Sequence, residues 1–482
     1  MENIPSEAIR VGGEVSIEAL HSLLNKIWRQ EEIPDEWRKG LLVKLPKKGD
    51  TTYCKNWRGI TLLATASKVL SKIILDRMKA ALDSLLRDEQ AGFRQERSCI
   101  DQIATLRIII EQSLEWNTGL YLVFVDFEKA FDSVDREVIW QILWHYGVPE
   151  KIVNVIQCFY SGFECQVIHD GFLTEPFQVR TGVRQGCLLS PLLFLVVLDW
   201  VTREAYGAGR TGIQWSFTRK LEDLDFADNL CLMSQKLQHM QEKVEALQHA
   251  AERVGLKINN EKTQEMRIQA RDDSPIHIGD EVIQRTDHFT YLGSVVSESG
   301  GTEEDIVARI RKAQQAFATL RSVWKSRVIS LNTKLRIFNS NIKSVLLYGS
   351  ETWRLTKALL SKVQSFLNKR LRQILGIFWP NVITNEELWA RTGQEDVETT
   401  IKRRKWKWIG HTLRKAPNNT TRMAMEWNPQ GRRSRGRPKQ SWRRTVSKEL
   451  ENIGRTWGEA KLLANNKIRW KAMVEALCLS RG

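Results

Sequence analysis

Two short acidic segments hold residue types that could do chemistry: VFVDFEKAFDSV, residues 123–134, and LDFADNL, residues 224–230. The apolar run LYLVFVD, rich in β-branched and aromatic residues, predicts a buried strand that delivers Asp126 at its end. FADN predicts a tight turn carrying Asp228 and Asn229. Carboxylates brought to one point can gather a hard cation such as Mg²⁺, which takes oxygen ligands. A lone Asp at a strand end also serves as an exposed turn or a helix cap, and the residues alone leave both roles open. Asp132 and Asp135 are expected to cap the following helix and Asp223 and Asp225 to precede the turn, so these four stay outside the candidate metal set.

The elements that must position these residues alternate in type. REVIWQILWHYG predicts a helix from Arg136 stopped by Gly147 and Pro149, and ECQVIHDGFLTEPFQVRTG a hairpin turning near Asp170 and Gly171. LLSPLLFLVVLDWV, from Leu188, is broken by Pro191 and Asp199 and is too short to span a bilayer, so it reads as a buried helix. Ser234 to Gly255 is an amphipathic helix pattern, with Ser234 as its cap and Gly255 as its stop. Upstream, SIEALHSLLNKIW reads as a helix, LLVKL as a strand, and Thr65 to Leu86 as a long helix; Thr302 to Leu375 is helical again, with two main helices. After Gly376 the chain is rich in Trp and Arg with frequent Gly and Pro, and Asn418 to Arg437 has a linker's composition. Strand, helix and hairpin in this alternation predict an α+β fold.

In order and spacing, the two acidic segments and the intervening GVRQGCLLSPLLF (Gly182 to Phe194) resemble motifs A, C and B of the reverse transcriptase palm. KNWRGITLL (Lys55 to Leu63) and QAGFRQERSCIDQI (Gln90 to Ile103) resemble the fingers, GLKINNEKTQ (Gly255 to Gln264) motif D, and FTYLGS (Phe289 to Ser294) the primer grip. The likeness is to the non-LTR (LINE-type) retrotransposon enzymes, most of all their RTE branch, and it continues through VLLYGSETWRL and GRRSRGRPKQSWRRTV. Any one motif arises by chance, but seven in the family's order do not.

The resemblance implies a right-hand polymerase fold: an N-terminal linker or helix over residues 1–32, fingers over 33–115, palm over 116–300, a helical thumb over 301–376, and a basic nucleic-acid-binding region over 377–482. It implies RNA-directed DNA synthesis with two Mg²⁺ ions, Mn²⁺ being the substitute, on an RNA template with a DNA primer or target and deoxynucleoside triphosphates. Asp126, Phe127 and Asp228 would form the metal set, and Lys262 would protonate the leaving pyrophosphate. Phe131 would exclude the ribose 2′-OH by a clash. Gln185 and Gly186 would let the backbone approach the incoming nucleotide, Arg58 and Lys44 would neutralise its triphosphate, with Arg94 and Arg97 as alternatives, and Tyr291, Leu292 and Gly293 would grip the primer. The family's turn reads aromatic-Ala-Asp-Asp, and Asn229 replaces the last residue. An amide brings no charge to balance two divalent ions, so impaired synthesis is expected; a nucleic-acid-binding remnant without activity is the alternative. Family members carry an endonuclease before the polymerase, and Met1 to Glu32 cannot hold one, so the expectation is a truncated product or one module of a longer one.

Charge is unevenly placed. Residues 401–482 hold 22 of the 73 Lys and Arg but 5 of the 57 Asp and Glu, a net of +17 against +16 for the whole chain. That excess predicts binding to polyanions through counterion release, with nucleic acid as the partner and not a membrane. Arg435, Arg437 and Lys439, in RGRPK, form an extended basic segment suited to such contacts, and Ile401 to Arg414 reads as a helix whose tryptophans pack a core or stack on bases. Seven cysteines without a zinc pattern, and no signal peptide, point to free thiols in a reducing intracellular compartment, nucleus or cytoplasm.

Overall fold

The computed structural model describes residues 4–47, 49–207, 209–433 and 440–479. Its centre is a five-stranded sheet in the order Gln284–Arg285, Gln264–Ile268, Leu120–Val125, Asn229–Ser234, Asp223–Phe226. The apolar run Leu120–Val125 takes the middle place and is buried at every position. Because side chains alternate across a strand, Tyr121, Val123 and Val125 face one core with Leu193 and Leu247, while Leu120, Leu122 and Phe124 face another with Ile103 and Leu106. Helices Ser190–Tyr206 and Leu237–Glu252 cover the first face and Cys99–Glu115 the second.

A second five-stranded sheet starts from strands in the range expected as fingers, and it is completed from the far side of the first acidic segment. Lys39–Pro46 pairs antiparallel with Trp57–Leu62 and parallel with Glu164–His169, so chain from the expected palm range lies in the fingers sheet. Conversely, Cys99–Glu115, expected within the fingers, packs beneath the palm sheet. The α+β right-hand arrangement thus holds, with the two sheets interleaved in sequence.

Most local expectations match: the long helix is Thr65–Leu85, the hairpin turns at Asp170 and Gly171 with φ of 49° and 83°, and Asp135 caps Arg136–His145 by accepting from the Glu137 and Val138 N–H groups. Three differ. Ser234 ends a strand and donates to the Thr211 carbonyl, so the helix starts at Leu237 without a side-chain cap. Asp132 lies inside the short turn Ala130–Ser133 and accepts from Gln185 Nε2 at 2.8 Å. The expected linker contains the helix Thr420–Ala424, capped by Asn419, and Trp427 is buried in a stack on Trp215 at 5.2 Å, because its apolar residues find a core.

In the range expected as a helical thumb, Glu303–Thr319, Leu331–Ile337 and Lys357–Leu375 pack around a core of their own, which extends to Leu388 and Ile401. Beyond it, helices Val397–Leu413, Trp442–Glu451, Trp457–Ala464 and Lys467–Leu479 dock on the palm: Trp406, Trp442 and Trp470 share a core with Leu122 and Phe124. Several of this region's cations are held in pairs, including Lys405–Glu449 at 2.6 Å and Arg444–Glu115 at 2.7 Å. Among the described residues no helix is long and apolar enough to cross a membrane, and all seven cysteines are unpaired.

Candidate active site

The strand ending at Val125 and the strand starting at Asn229 are direct neighbours, with Leu230 opposite Val125. Continuing the antiparallel register sets Asp126 beside Asn229 at the rim of the sheet. The second segment makes its turn through Ala227, in the left-handed region at φ 53°, with Asn229 opposite Phe226. Asp228 therefore projects at the tip, and the Asn229 amide donates to its Oδ1 at 3.3 Å. Burial pushes the Asp228 carboxyl above the ordinary carboxylate range; the Asp126 charge adds to this, while Arg58 and Lys262 oppose it.

The loop of residues 257–263 runs along the other side of Asp126. Asn259 N–H donates to the Asp126 carbonyl at 2.8 Å and Glu128 N–H to the Lys257 carbonyl at 2.8 Å. Phe127 sits between these bonds in a bridge with Ile258, so its own carbonyl points away from that loop, toward the Asn229 strand. The Asp126 and Asp228 carboxylates at this rim are hard oxygen donors of the kind a divalent cation takes. Among the described residues no group of three or more His, Cys, Asp or Glu side chains is placed to hold a metal ion, and the side chain beside Asp228 is an amide. Lys262 Nζ lies 3.0 Å from Asp126 Oδ2.

Five residues past Asp126, Phe131 stacks on Phe194 at 4.4 Å and meets the edge of Phe93 at 6.5 Å. Phe93, half exposed beside it, was not singled out from sequence. The Gln185–Gly186 loop is clamped on two sides: Val183 N–H donates to the Phe131 carbonyl and Thr61 N–H to the Gln185 carbonyl, both at 2.7 Å. A Cβ on Gly186 would lie 2.3 Å from the Thr61 carbonyl oxygen, and its φ is 118°, so close backbone approach is what demands glycine here.

The expected triphosphate cations divide. Arg58 is exposed on the fingers strand and acts electrostatically on Asp228. Lys44 pairs across the ribbon with Gly59 and Arg58 with Leu45, so alternation sends them to opposite faces; Lys44 meets His169 Nδ1 at 2.7 Å and the Trp57 ring instead. Arg94 is buried on Asp83, and Arg97 holds Asp88, so both alternatives are structural. Asp223 and Asp225 lie behind the turn, bound by Arg87 at 2.8 Å each, with Tyr206 donating to Asp223 at 2.5 Å. Burial and the adjacent Asp223 hold the Asp225 carboxyl well above its usual range.

The hairpin His288–Tyr291 to Ser294–Ser297 turns at Leu292 and Gly293, with φ of 47° and 82°. Tyr291 itself is a core residue: its ring packs on Phe124 and its hydroxyl donates to the Leu224 carbonyl at 2.8 Å, so it cannot touch a primer. Leu292 and Gly293 are partly exposed, their carbonyls accepting from Tyr348 and Arg309. Arg435, Arg437 and Lys439 lie outside the described residues.

Residues 45–296 match the family model described as reverse transcriptase (RNA-dependent DNA polymerase), and residues 316–348 match a domain of unknown function. The Transposon TX1 uncharacterized 149 kDa protein of Xenopus laevis is 26% identical over 367 residues, which are 74% of this chain and 27% of that protein. The probable RNA-directed DNA polymerase from transposon BS of Drosophila melanogaster is 24% identical over 398 residues, 78% of this chain and 42% of its own length. The chain spans less than half of either relative. Among solved structures, apo telomerase from Candida tropicalis, truncated from its C-terminal domain, aligns over 58% of each chain with 13% identity and a TM-score of 0.41.

Proposed function

The chain belongs to the reverse transcriptase (RNA-dependent DNA polymerase) family, whose members use divalent metal ions, and from that premise we propose that it is the RNA-directed DNA polymerase of a non-LTR retrotransposon, weakened at the metal site by Asn229. The observation that carries this reading is the convergence of Asp126 and Asp228 at the ends of adjacent strands, with an amide in the neighbouring place. Asp126, the Phe127 carbonyl and Asp228 would hold Mg²⁺ or Mn²⁺, two ions in a complete site. The ions lower the pKa of the primer 3′-OH and neutralise the triphosphate when bound.

This chain's own residues do the rest. The primer 3′-OH gives its proton to solvent as its oxygen attacks the α-phosphate, the bond from the α-phosphorus to the oxygen of the β-phosphate breaks, and Lys262 would supply a proton to the departing pyrophosphate. Arg58 neutralises phosphate charge, Gln185 and Gly186 give the nucleotide a flat backbone floor, and Phe131 closes the space a 2′-OH would need. RNA template and DNA primer or target lie across the palm, with the exposed cations of the C-terminal region adding phosphate contacts.

Primer extension on an RNA template with Mg²⁺ tests the reading. The natural chain is expected to give little or no product and Asn229→Asp to raise it by about 10²-fold or more. Silence of both proteins would favour the second reading, a nucleic-acid-binding remnant, which the exposed, uncharged Asn229 itself supports.

A further inference from the structure

The C-terminal region reaches the catalytic turn through a continuous set of buried polar contacts. Lys415, just past the helix Val397–Leu413, places Nζ 2.9 Å from Asp101 Oδ2, and both side chains are only 5% exposed. Trp408 Nε1 donates to the other Asp101 oxygen at 3.0 Å. Asp101 is also half of a capping box with Ser98 at the start of Cys99–Glu115, so one carboxylate holds two helices together.

The next residue carries the contact onward. Gln102 Nε2 donates to the Glu89 carbonyl at 2.7 Å and to the Asp225 carbonyl at 2.9 Å, three residues before Asp228. Along the same edge Gln90 Oε1 accepts from Ala227 N–H at 2.8 Å, and Gln90 bridges Asp225. Fit is tight here: a Cβ on Gly92 would lie 2.3 Å from the Ala227 nitrogen. Ala227, the left-handed residue that aims Asp228, is therefore held by Gln90, whose neighbour Glu89 and partner Asp225 are both held by Gln102, the residue next to the Asp101 that Lys415 closes.

We infer that Lys415 is a positioning residue for the metal-binding turn, acting through Asp101 and Gln102, and that the C-terminal region is part of the polymerase site's scaffold. Removing the cation leaves Asp101 buried without its charge partner, and the capping helix must shift or take in water. The shift passes to the carbonyl of Asp225 and to the pose of Asp228.

The inference rests on Asp126 and Asp228 being metal ligands, and a Mn²⁺ titration of the full chain by electron paramagnetic resonance separates the two ideas. Lys415→Met is expected to weaken Mn²⁺ binding about tenfold and Lys415→Arg to restore most of it, whereas Arg403→Gln, which breaks the Arg403–Glu395 pair, lowers thermal stability without weakening binding. Trp408→Phe, which keeps the bulk and removes one donor to Asp101, should fall between, and it tests the inference if Lys415→Met does not fold. If Asp126→Asn leaves binding unchanged, the metal-site reading fails. If Asp126→Asn abolishes binding while Trp408→Phe and Lys415→Met bind like the natural chain, the positioning role of Lys415 is overturned.

Discussion

Lys262 Nζ lies 3.0 Å from Asp126 Oδ2, an ion pair on the carboxylate that ends the central strand. In the proposed site the ammonium and a divalent ion would compete for the charge of this carboxylate, and a displaced Lys262 would be free to meet the leaving pyrophosphate. Lys262→Met should therefore tighten Mn²⁺ binding while lowering turnover of the Asn229→Asp protein about 10²-fold, the usual worth of a general acid. Equal binding in the two proteins would mean that Lys262 does not compete.

Phe131 is fixed by its stack on Phe194 and by the Val183 N–H on its carbonyl. In the Asn229→Asp background, Phe131→Val should reduce discrimination against ribonucleotides by about 10- to 100-fold, read as the ratio of kcat/KM for the two nucleotide types. An unchanged ratio would leave Phe131 with a packing role alone.

Glu111 is buried between the palm and the C-terminal region, where it accepts from the Trp442 N–H at 2.9 Å. Burial raises its carboxyl from 4.5 to about 7, with the Trp442 bond opposing. The folded state thus holds a proton that the unfolded chain releases, so this stability is complete below pH 4.5 and is lost as pH rises toward about 7. The slope is about 1.4 kcal/mol per pH unit in that window. Glu111→Gln should flatten the pH dependence of thermal unfolding there, and an unaltered curve would place the titration elsewhere.

Deleting residues 401–482 would strip the palm of the core built on Trp406, Trp442 and Trp470, so a gentler change is the better probe of nucleic-acid binding. Lys407, Arg432 and Lys471 are exposed. Changing all three to Gln should lower the slope of log affinity against log salt by about one for each cation that touches phosphate. Lys405→Gln, which breaks a buried pair, should cost stability and leave the slope alone.

The sequence carried the central strand because its apolar run is long and β-branched, and it carried the turn because motif order sets the register of FADN. It also located the Asp135 cap, a local bond between near neighbours. What it did not carry are long-range pairings. Arg87 meets Asp223 and Asp225 from more than a hundred positions away, Tyr291 is turned inward by Phe124 and the Leu224 carbonyl, and Lys44 is separated from Arg58 only by pleat parity. The C-terminal cations read as a tail because counting charge does not reveal that Glu115 and Asp101 lie beneath them.

The parallel pairing of Lys39–Pro46 with Glu164–His169 has a consequence for how the chain becomes a protein. Leu41 lies opposite Gln166, so the fingers sheet cannot close until the whole first acidic segment and its helices have been made and brought back. Bringing such distant partners together carries a loop-closure entropy that only the finished sheet offsets. A fragment ending near residue 115 would leave Lys39–Pro46 with an open edge able to pair with other chains. Fingers and palm should therefore melt in one cooperative transition, and no cut between them yields two independent folding units.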